Sequence, residues 1–474
     1  MANAALEAML GSRRAFAVAA AGCGKTELLG QLVCDQRSGR QLVLTHTHAG
    51  VAAIKKRLAD MRVPNDKFHL DTIAGWCLRY GAAYPTISGF RPNAEADPDW
   101  VAAYSGAEKL CRTALGRRVV SESYNGVLVD EYQDCTLKQH ALVQALAKCV
   151  PCRGVGDPLQ TIFGFRDDPI VPWETIKSDF EVLHDALTEP WRWRRKGRNA
   201  QLGEWLIYAR KELEATGQVT IAEDAPVTWV SHPDRVTAAQ IWASTCRKVG
   251  GADESVVAIL QWPRKCQALA RSLGGRWPVV ERFDDPDLLK LCQRLSKADG
   301  PTACAELVQF LAERMTRIGA ELWPIVEAIK SGRGTSRFRK NREFAAQLSA
   351  LAEKPTPANT LKWIEGILSH QTDWWLYRRE CVSQLREAIR HCNGSNLAEL
   401  PDMVAAARAR ARHRGRPTSR KTIGTPLLLK GLEFDHAVLL WEPDHLSAQG
   451  LYVALTRASK SLTVVSRSRN LVPA

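Results

Sequence analysis

The chain has 474 residues and carries 65 Lys plus Arg against 51 Asp plus Glu, a formal excess of +14. Its length is about three times a usual ~150-residue domain, so several domains are expected, and 45% hydrophobic with 24% charged residues excludes a disordered or collagen-like chain. No apolar run reaches the ~18 residues of a spanning helix, so no membrane partner is expected, and the positive excess favours polyanions such as nucleic acid or nucleotide phosphates.

In chain order, Arg13-Arg14 before an apolar small-residue stretch ending at Gly22-Cys23 mimics an export signal. Gly24-Lys25-Thr26 immediately turns the same stretch into strand, glycine loop and helix, so no export signal is expected and the cytoplasm is the expected compartment. Ala19 to Thr26 follows the P-loop pattern G-x-x-x-x-G-K-[ST] with Ala in place of the first Gly. Gly22 and Gly24 let the backbone N–H groups of Ala21, Gly22, Cys23 and Gly24 curl towards phosphate oxygens. Lys25 then reaches the β and γ phosphates and Thr26 ligates Mg²⁺.

Gln41 to Thr45 reads as a short strand, followed by a helix through Val51, Ile54 and Leu58. Val127-Leu128-Val129 reads as a buried parallel strand that delivers Asp130-Glu131 at its C-terminal end, the edge where open α/β sheets place ligands. Asp130 is expected in the Mg²⁺ shell, with Glu131 activating water. Leu137 to Cys149 keeps helical spacing and leads to Gly154-Val155-Gly156-Asp157-Pro158. Alternating strands and helices predict α/β architecture with parallel sheets. The thirteen cysteines sit mostly in apolar or helical contexts, as reduced thiols do. Cys149 and Cys152 form a lone CxxC without a second ligand pair, so neither a zinc site nor an iron–sulfur cluster is expected.

These segments resemble superfamily 1 nucleic-acid motors of the UvrD, Rep and PcrA type. Asp130-Glu131-Tyr132-Gln133-Asp134 matches that family's D-E-x-Q-D signature, and Gly156 to Arg166 resembles its third motif. Leu429 to Asp435 resembles the fifth and Tyr452 to Ala458 the sixth. The resemblance implies ATP and Mg²⁺ as cofactors and two RecA-like lobes with reduced, mainly helical insertions. It implies that Gln133 and Gln160 sense the γ-phosphate, that Arg192 and Arg457 act as arginine fingers, that Trp191 stacks on adenine and that Glu433 contacts the sugar. For the polynucleotide it implies contacts from Thr45, His46, Thr47 and His48, from Thr72 and Trp76, and from Phe163, Phe165 and Arg166. Outside this frame the aromatic residues read as core, and His46 with His48 reads as loop imidazoles lacking a third metal ligand. The basic clusters Arg192 to Arg198, Arg337 to Arg342 and Arg408 to Lys421 read as solvated faces.

The spacing implies a first lobe over 1–76 and 122–186 with an insertion at 77–121. A second lobe spans 187–295 and 418–474, with a helical insertion at 296–417. Residues 1–18 hold no Gln, so the family's adenine-reading segment is absent. Thr425-Pro426-Leu427 replaces a T-x-H run, and Ala49 replaces a Lys. Two functions follow from the resemblance. One is an ATP-driven translocase or helicase on single-stranded or partly duplex DNA, moving 3′ to 5′. The other is a nucleotide-sensing, DNA-binding subunit that controls a nuclease partner in antiviral defence, since compact helicase-like subunits of systems such as Gabija resemble this chain in size.

Overall fold

The computed structural model describes residues 2–91, 99–162, 164, 168–232, 235–282, 284–370, 374–394, 396–414, 419–442 and 446–474. Thirteen strands are present among them: β1 Arg14–Ala19, β2 Gln41–Thr45, β3 Phe68–Thr72, β4 Gly126–Val129, β5 Cys152–Gly156, β6 Glu181–Leu187, β7 Val219–Thr220, β8 Val227–Ser231, β9 Val256–Ile259, β10 Lys421–Gly424, β11 Phe434–Leu440, β12 Ala458–Ser466 and β13 Asn470–Leu471. They form a six-stranded sheet ordered β3-β2-β4-β5-β1-β6 and a five-stranded sheet ordered β10-β9-β11-β12-β8. Every pairing within these two sheets is parallel. β7 and β13 add a short antiparallel pair.

Parallel strands need crossover helices, which cover both faces of each sheet, and the sequences of the strands answer that demand. β2, β4 and β5 are buried at every residue. Along β1 successive side chains alternate between two cores. Ala15, Ala17 and Ala19 pack with Leu28, Leu32 and Ile54, while Phe16 packs with Val127, Val129 and Leu142 on the other side. The second sheet repeats this. Val257 and Ile259 face Trp193 and Leu206, whereas Val256 and Ala258 face Trp242, Cys266 and Leu269. The chain is therefore α/β, with two RecA-like lobes and an added group of helices.

That helical group has a core of its own, which begins earlier than position 296. Leu288 and Leu291 of helix Pro286–Leu295 share it with Leu307, Ile325, Leu385 and Val404. The segment 77–121 is no separate unit. Position 76 falls inside helix Ile73–Ala83, and Tyr104, Ala107, Cys111 and Val120 join the core that contains Val127 and Val129. Short insertions bury too little apolar surface to stand alone, so this one folds down onto the first sheet. Helix Leu137–Ala147 opens with a capping box between Thr136 and Gln139 and ends before Cys149. The thirteen cysteines are free thiols, and among the described residues no helix is long and apolar enough to cross a membrane.

Candidate nucleotide cleft between two lobes

At the C-terminal end of β1 the chain turns through residues 20–24 into helix Lys25–Cys34. Gly24 caps that helix in the left-handed region, and Gly22 has φ +69°. A Cβ on Gly22 would lie 2.6 Å from the Trp193 ring, so the loop and the indole approach each other only because the side chain is missing. Ala19 needs no such freedom. It is the buried last residue of β1, paired with Leu187 just past an irregularity in the register with β6, and its backbone has no positive φ that would require glycine. Lys25 is buried and donates from Nζ to the Ala19 carbonyl at 3.1 Å.

β4 delivers Asp130 and Glu131 as the short apolar run requires. Glu131 has φ 51°, a left-handed conformation that is costly for a residue with a Cβ and that marks sites where a side chain must be aimed. Burial, reinforced by the charge of Glu131, raises the Asp130 carboxyl well above the usual carboxylate range. Burial pushes Glu131 the same way, but Lys25 and Lys430 outweigh it and hold Glu131 low and ionised.

A cavity of about 1090 Å³ opens over the loop. From the first lobe it is lined by Ala21, Gly22, Gly24, Lys25, Thr26, Glu131 and Gln160. Trp191, Arg192, Gly431, Glu433 and Arg457 line it from the second. Trp191 is 52% exposed, and its Cδ1 lies 3.5 Å from where a Cβ on Gly24 would stand. Arg192 pairs with Glu433 at 3.0 Å and donates to the Thr456 carbonyl at 2.9 Å. Arg457 is almost fully buried. Its guanidinium donates to the carbonyls of Val453 at 2.8 Å and Leu432 at 2.9 Å, and to Thr456 Oγ1 at 3.0 Å. Burial and the nearby Arg192 lower its pKa to about 9.

A chain of hydrogen bonds crosses from Glu131 to the second lobe. Gln133 Nε2 donates to Glu131 at 2.6 Å, and the Asp157 amide donates to Gln133 Oε1 at 3.0 Å. Asp157 accepts from Gln160 Nε2 at 2.7 Å and from Arg210 Nη1 at 2.6 Å. Arg210 lies in helix Ala200–Thr216 and sits over the Tyr452 ring at 5.4 Å, while Tyr452 Oη accepts from the Ala21 amide of the loop at 3.2 Å. Lys430 adds a second bridge, donating to the Gln160 carbonyl at 2.6 Å and to the Asp134 carboxylate. Sequence reasoning missed Arg210 and gave Lys430 and Tyr452 no task. The signal for Arg210 was its place between Leu206 and Leu213 on the apolar stripe of its helix, where a cation demands a buried partner.

The residues expected on a polynucleotide are less uniform. Thr47 and Thr72 cap helices, accepting from the amides of Gly50 at 3.0 Å and Gly75 at 2.9 Å. Thr45 is buried. His46 lies against Cys135, with Nε2 3.8 Å from Sγ, and feels the charges of Lys430 and Glu131. His48 begins helix His48–Asp60. Trp76 is corrected: it is fully buried and stacks on Tyr80 with centroids 4.1 Å apart, because its helix turns that face into the core. It offers no surface for a base. Phe163, Phe165 and Arg166 lie outside the described residues. The basic run from Arg192 is paired locally, Arg194 with Glu189 and Arg198 with Asp435.

Fold and site together define a P-loop protein of two RecA-like lobes with a cleft between them. Residues 107–181, which contain β4, Asp130 and Glu131, match the model of the UvrD/REP helicase N-terminal domain. A probable DNA helicase of Mycoplasma pneumoniae (strain ATCC 29342 / M129) is 39% identical over 69 residues, which cover 14% of this chain and 13% of that protein. Over this segment the chain is similar to UvrD/Rep-type helicases, and it spans only a small part of the length of the helicase it matches. Among solved structures, Arterivirus nonstructural protein 10 (helicase) in complex with DNA is 11% identical with a TM-score of 0.35, over 98% of this chain and 63% of that one. The PRRSV helicase is 11% identical with a TM-score of 0.34, over 98% and 54%.

Proposed function

We propose that this chain is an ATP hydrolase that drives a translocase or helicase on single-stranded DNA, moving 3′ to 5′. The observation that supports it is a single cleft lined by Lys25, Glu131 and Gln160 of one lobe and by Arg192, Glu433 and Arg457 of the other. The loop amides and Lys25 receive the phosphates, Lys25 exchanging its bond to Ala19 for a phosphate oxygen. Trp191 offers its exposed face to the base. Glu131, ionised and held by Gln133, accepts the proton of the attacking water. Arg192 and Arg457 leave their carbonyl partners to face the transferring phosphoryl group, and that exchange needs the lobes to move.

Thr26 and Asp130 present the hydroxyl and carboxylate oxygens that Mg²⁺ takes, and Asp130, buried without an ion pair among the described residues, suits a cation. Mg²⁺ held there supplies charge neutralisation at the phosphate oxygens. The thirteen free thiols suit work in the cytoplasm.

A second reading is a nucleotide-sensing subunit that binds DNA and controls a nuclease partner in antiviral defence. It draws on the insertion at 77–121, which lies down on the first sheet. Hydrolysis is measured with and without single-stranded DNA for the natural chain, Lys25→Ala and Glu131→Gln. Stimulation by the strand is expected, with turnover in Glu131→Gln lower by about 10² to 10⁴. Full turnover in both variants overturns the assignment. Displacement of a labelled duplex by the isolated chain selects the motor, and hydrolysis with displacement only after a nuclease partner is added selects the second reading.

A further inference from the structure

A second cavity, about 870 Å³ in volume, lies between the second lobe and the helical group and shares no residue with the nucleotide cleft. Among the described residues its lining holds five cations, Arg247, Arg271, Arg276, Arg317 and Lys421, and no carboxylate. Among the described residues none of Arg247, Arg271, Arg276 and Lys421 forms an ion pair with a carboxylate. They are placed by other means. Arg247 Nη2 donates to the Ser272 carbonyl at 2.8 Å, and Arg271 Nε to Tyr377 Oη at 2.9 Å. Arg276 sits over the Trp375 ring at 5.2 Å and Lys421 over the Trp277 ring at 5.7 Å.

The walls are built rather than incidental. Trp277 and Leu273 belong to the core on the face of the second sheet away from Trp193 and the cleft. Trp375 is held by its backbone: its amide donates to Thr316 Oγ1 and its carbonyl accepts from the Thr316 amide, both at 3.1 Å. Gly275, at φ +75°, allows that approach, since a Cβ there would lie 2.7 Å from Trp375 Cβ. Arg317 is one of three described non-glycine residues in the left-handed region, and Glu131 in the cleft is another. The like charges of Arg247, Arg271, Arg276 and Lys421 around one hollow repel each other and gain most when a polyanion enters. The indole of Trp375, 38% exposed and backed by a guanidinium, is a surface on which a base stacks.

We propose that this cavity is a second nucleic-acid site, in which a single strand lays its phosphodiester backbone among the arginines and Lys421 and one base on Trp375. It rests on the functional reading above only for the choice of strand over other phosphate-bearing ligands. Binding of a fluorescent single-stranded oligonucleotide is measured by anisotropy in the Lys25→Ala chain, without nucleotide, across a range of salt. Arg276→Glu combined with Lys421→Glu is expected to weaken binding at least about tenfold. It should also flatten the slope of log K against log salt by about 1.4, two phosphates at about 0.7 each.

Trp375→Ala, which leaves the charge of the cavity unchanged, is expected to cost about tenfold with a normal oligonucleotide and clearly less with an abasic one. Unchanged affinity and slope in the charge-reversed pair, while the parent binds the strand, overturn this proposal alone. A parent that binds no strand overturns the DNA-motor reading as well. If inorganic phosphate or ATP removes the variant-sensitive binding at concentrations where chloride of equal ionic strength does not, the cavity takes small phosphates and the strand assignment falls.

Discussion

The two cavities are similar in size and opposite in electrostatic design. The nucleotide cleft sets Glu27, Asp60, Glu131 and Glu433 among its cations, Arg192 pairs with Glu433 inside it, and the pairs Arg210–Asp157 and Lys430–Asp134 join the lobes beside it. The basic cavity has cations alone, positioned by rings and carbonyls. A site of mixed sign can discriminate, because an incoming phosphate must match its cations and avoid its carboxylates. An unbalanced site attracts any strand of phosphates, and its pull fades with salt.

The largest effect that would break this contrast concerns stability. Asp157 is fully buried and leans on Arg210, so Arg210→Ala leaves an uncompensated buried carboxylate and should destabilise the chain by about 3 to 5 kcal/mol. Arg276→Ala in the basic cavity removes a cation that has no carboxylate partner among the described residues. The unfolding free energy from denaturant titration should therefore fall steeply for the first variant and change by about 0.5 kcal/mol at most for the second. Equal losses in the two would mean that the cavities are not electrostatically different.

Next in size is Gly22→Ala. The new methyl would meet the Trp193 ring in a backbone conformation costing roughly 1 to 2 kcal/mol for an L residue. Nucleotide affinity, measured by calorimetry, should fall by about tenfold or more, since 1.4 kcal/mol is a factor of ten. Oligonucleotide binding by the basic cavity should not change. A loss of both would show that the loop and the distant cavity are coupled through the second sheet.

What the sequence disclosed follows the same division. The glycine loop and the strand ending at Asp130 were legible because their chemistry is written in consecutive residues: a short apolar run, a turn, then the polar group. The lobe-crossing pair of Asp157 and Arg210 was not, because 53 positions separate the partners and only the fold joins them. Trp76 was misread because motif spacing does not say which face of a helix turns inward. The basic cavity was invisible for a related reason. Arg247, Arg271, Arg276, Arg317 and Lys421 come from four separate stretches of chain and make no cluster in sequence, whereas in the conspicuous run from Arg192 three of the five cations, Arg192, Arg194 and Arg198, pair with Glu433, Glu189 and Asp435.

The smallest effect concerns acid. Burial, with the charge of Lys430 adding to it, lowers His46 from its ordinary value near 6.5 to about 4. The folded chain therefore holds His46 neutral in a range where the unfolded chain protonates it. Above about pH 6.5 this costs nothing, and as the pH falls from 6.5 towards 4 the unfolded state binds the proton first and stability declines. At pH 5.5 the decline attributable to His46 should be about 1 kcal/mol, given 1.36 kcal/mol per pKa unit. His46→Gln should flatten the stability profile between pH 6.5 and 5.5 by that amount in denaturant titrations. The basic cavity holds no histidine, only Arg and Lys side chains that stay charged through this range, so strand binding there should not alter when His46 is replaced. A His46→Gln chain that keeps its full acid sensitivity would move the titrating group elsewhere and take His46 out of the contact with Glu131 and Lys430.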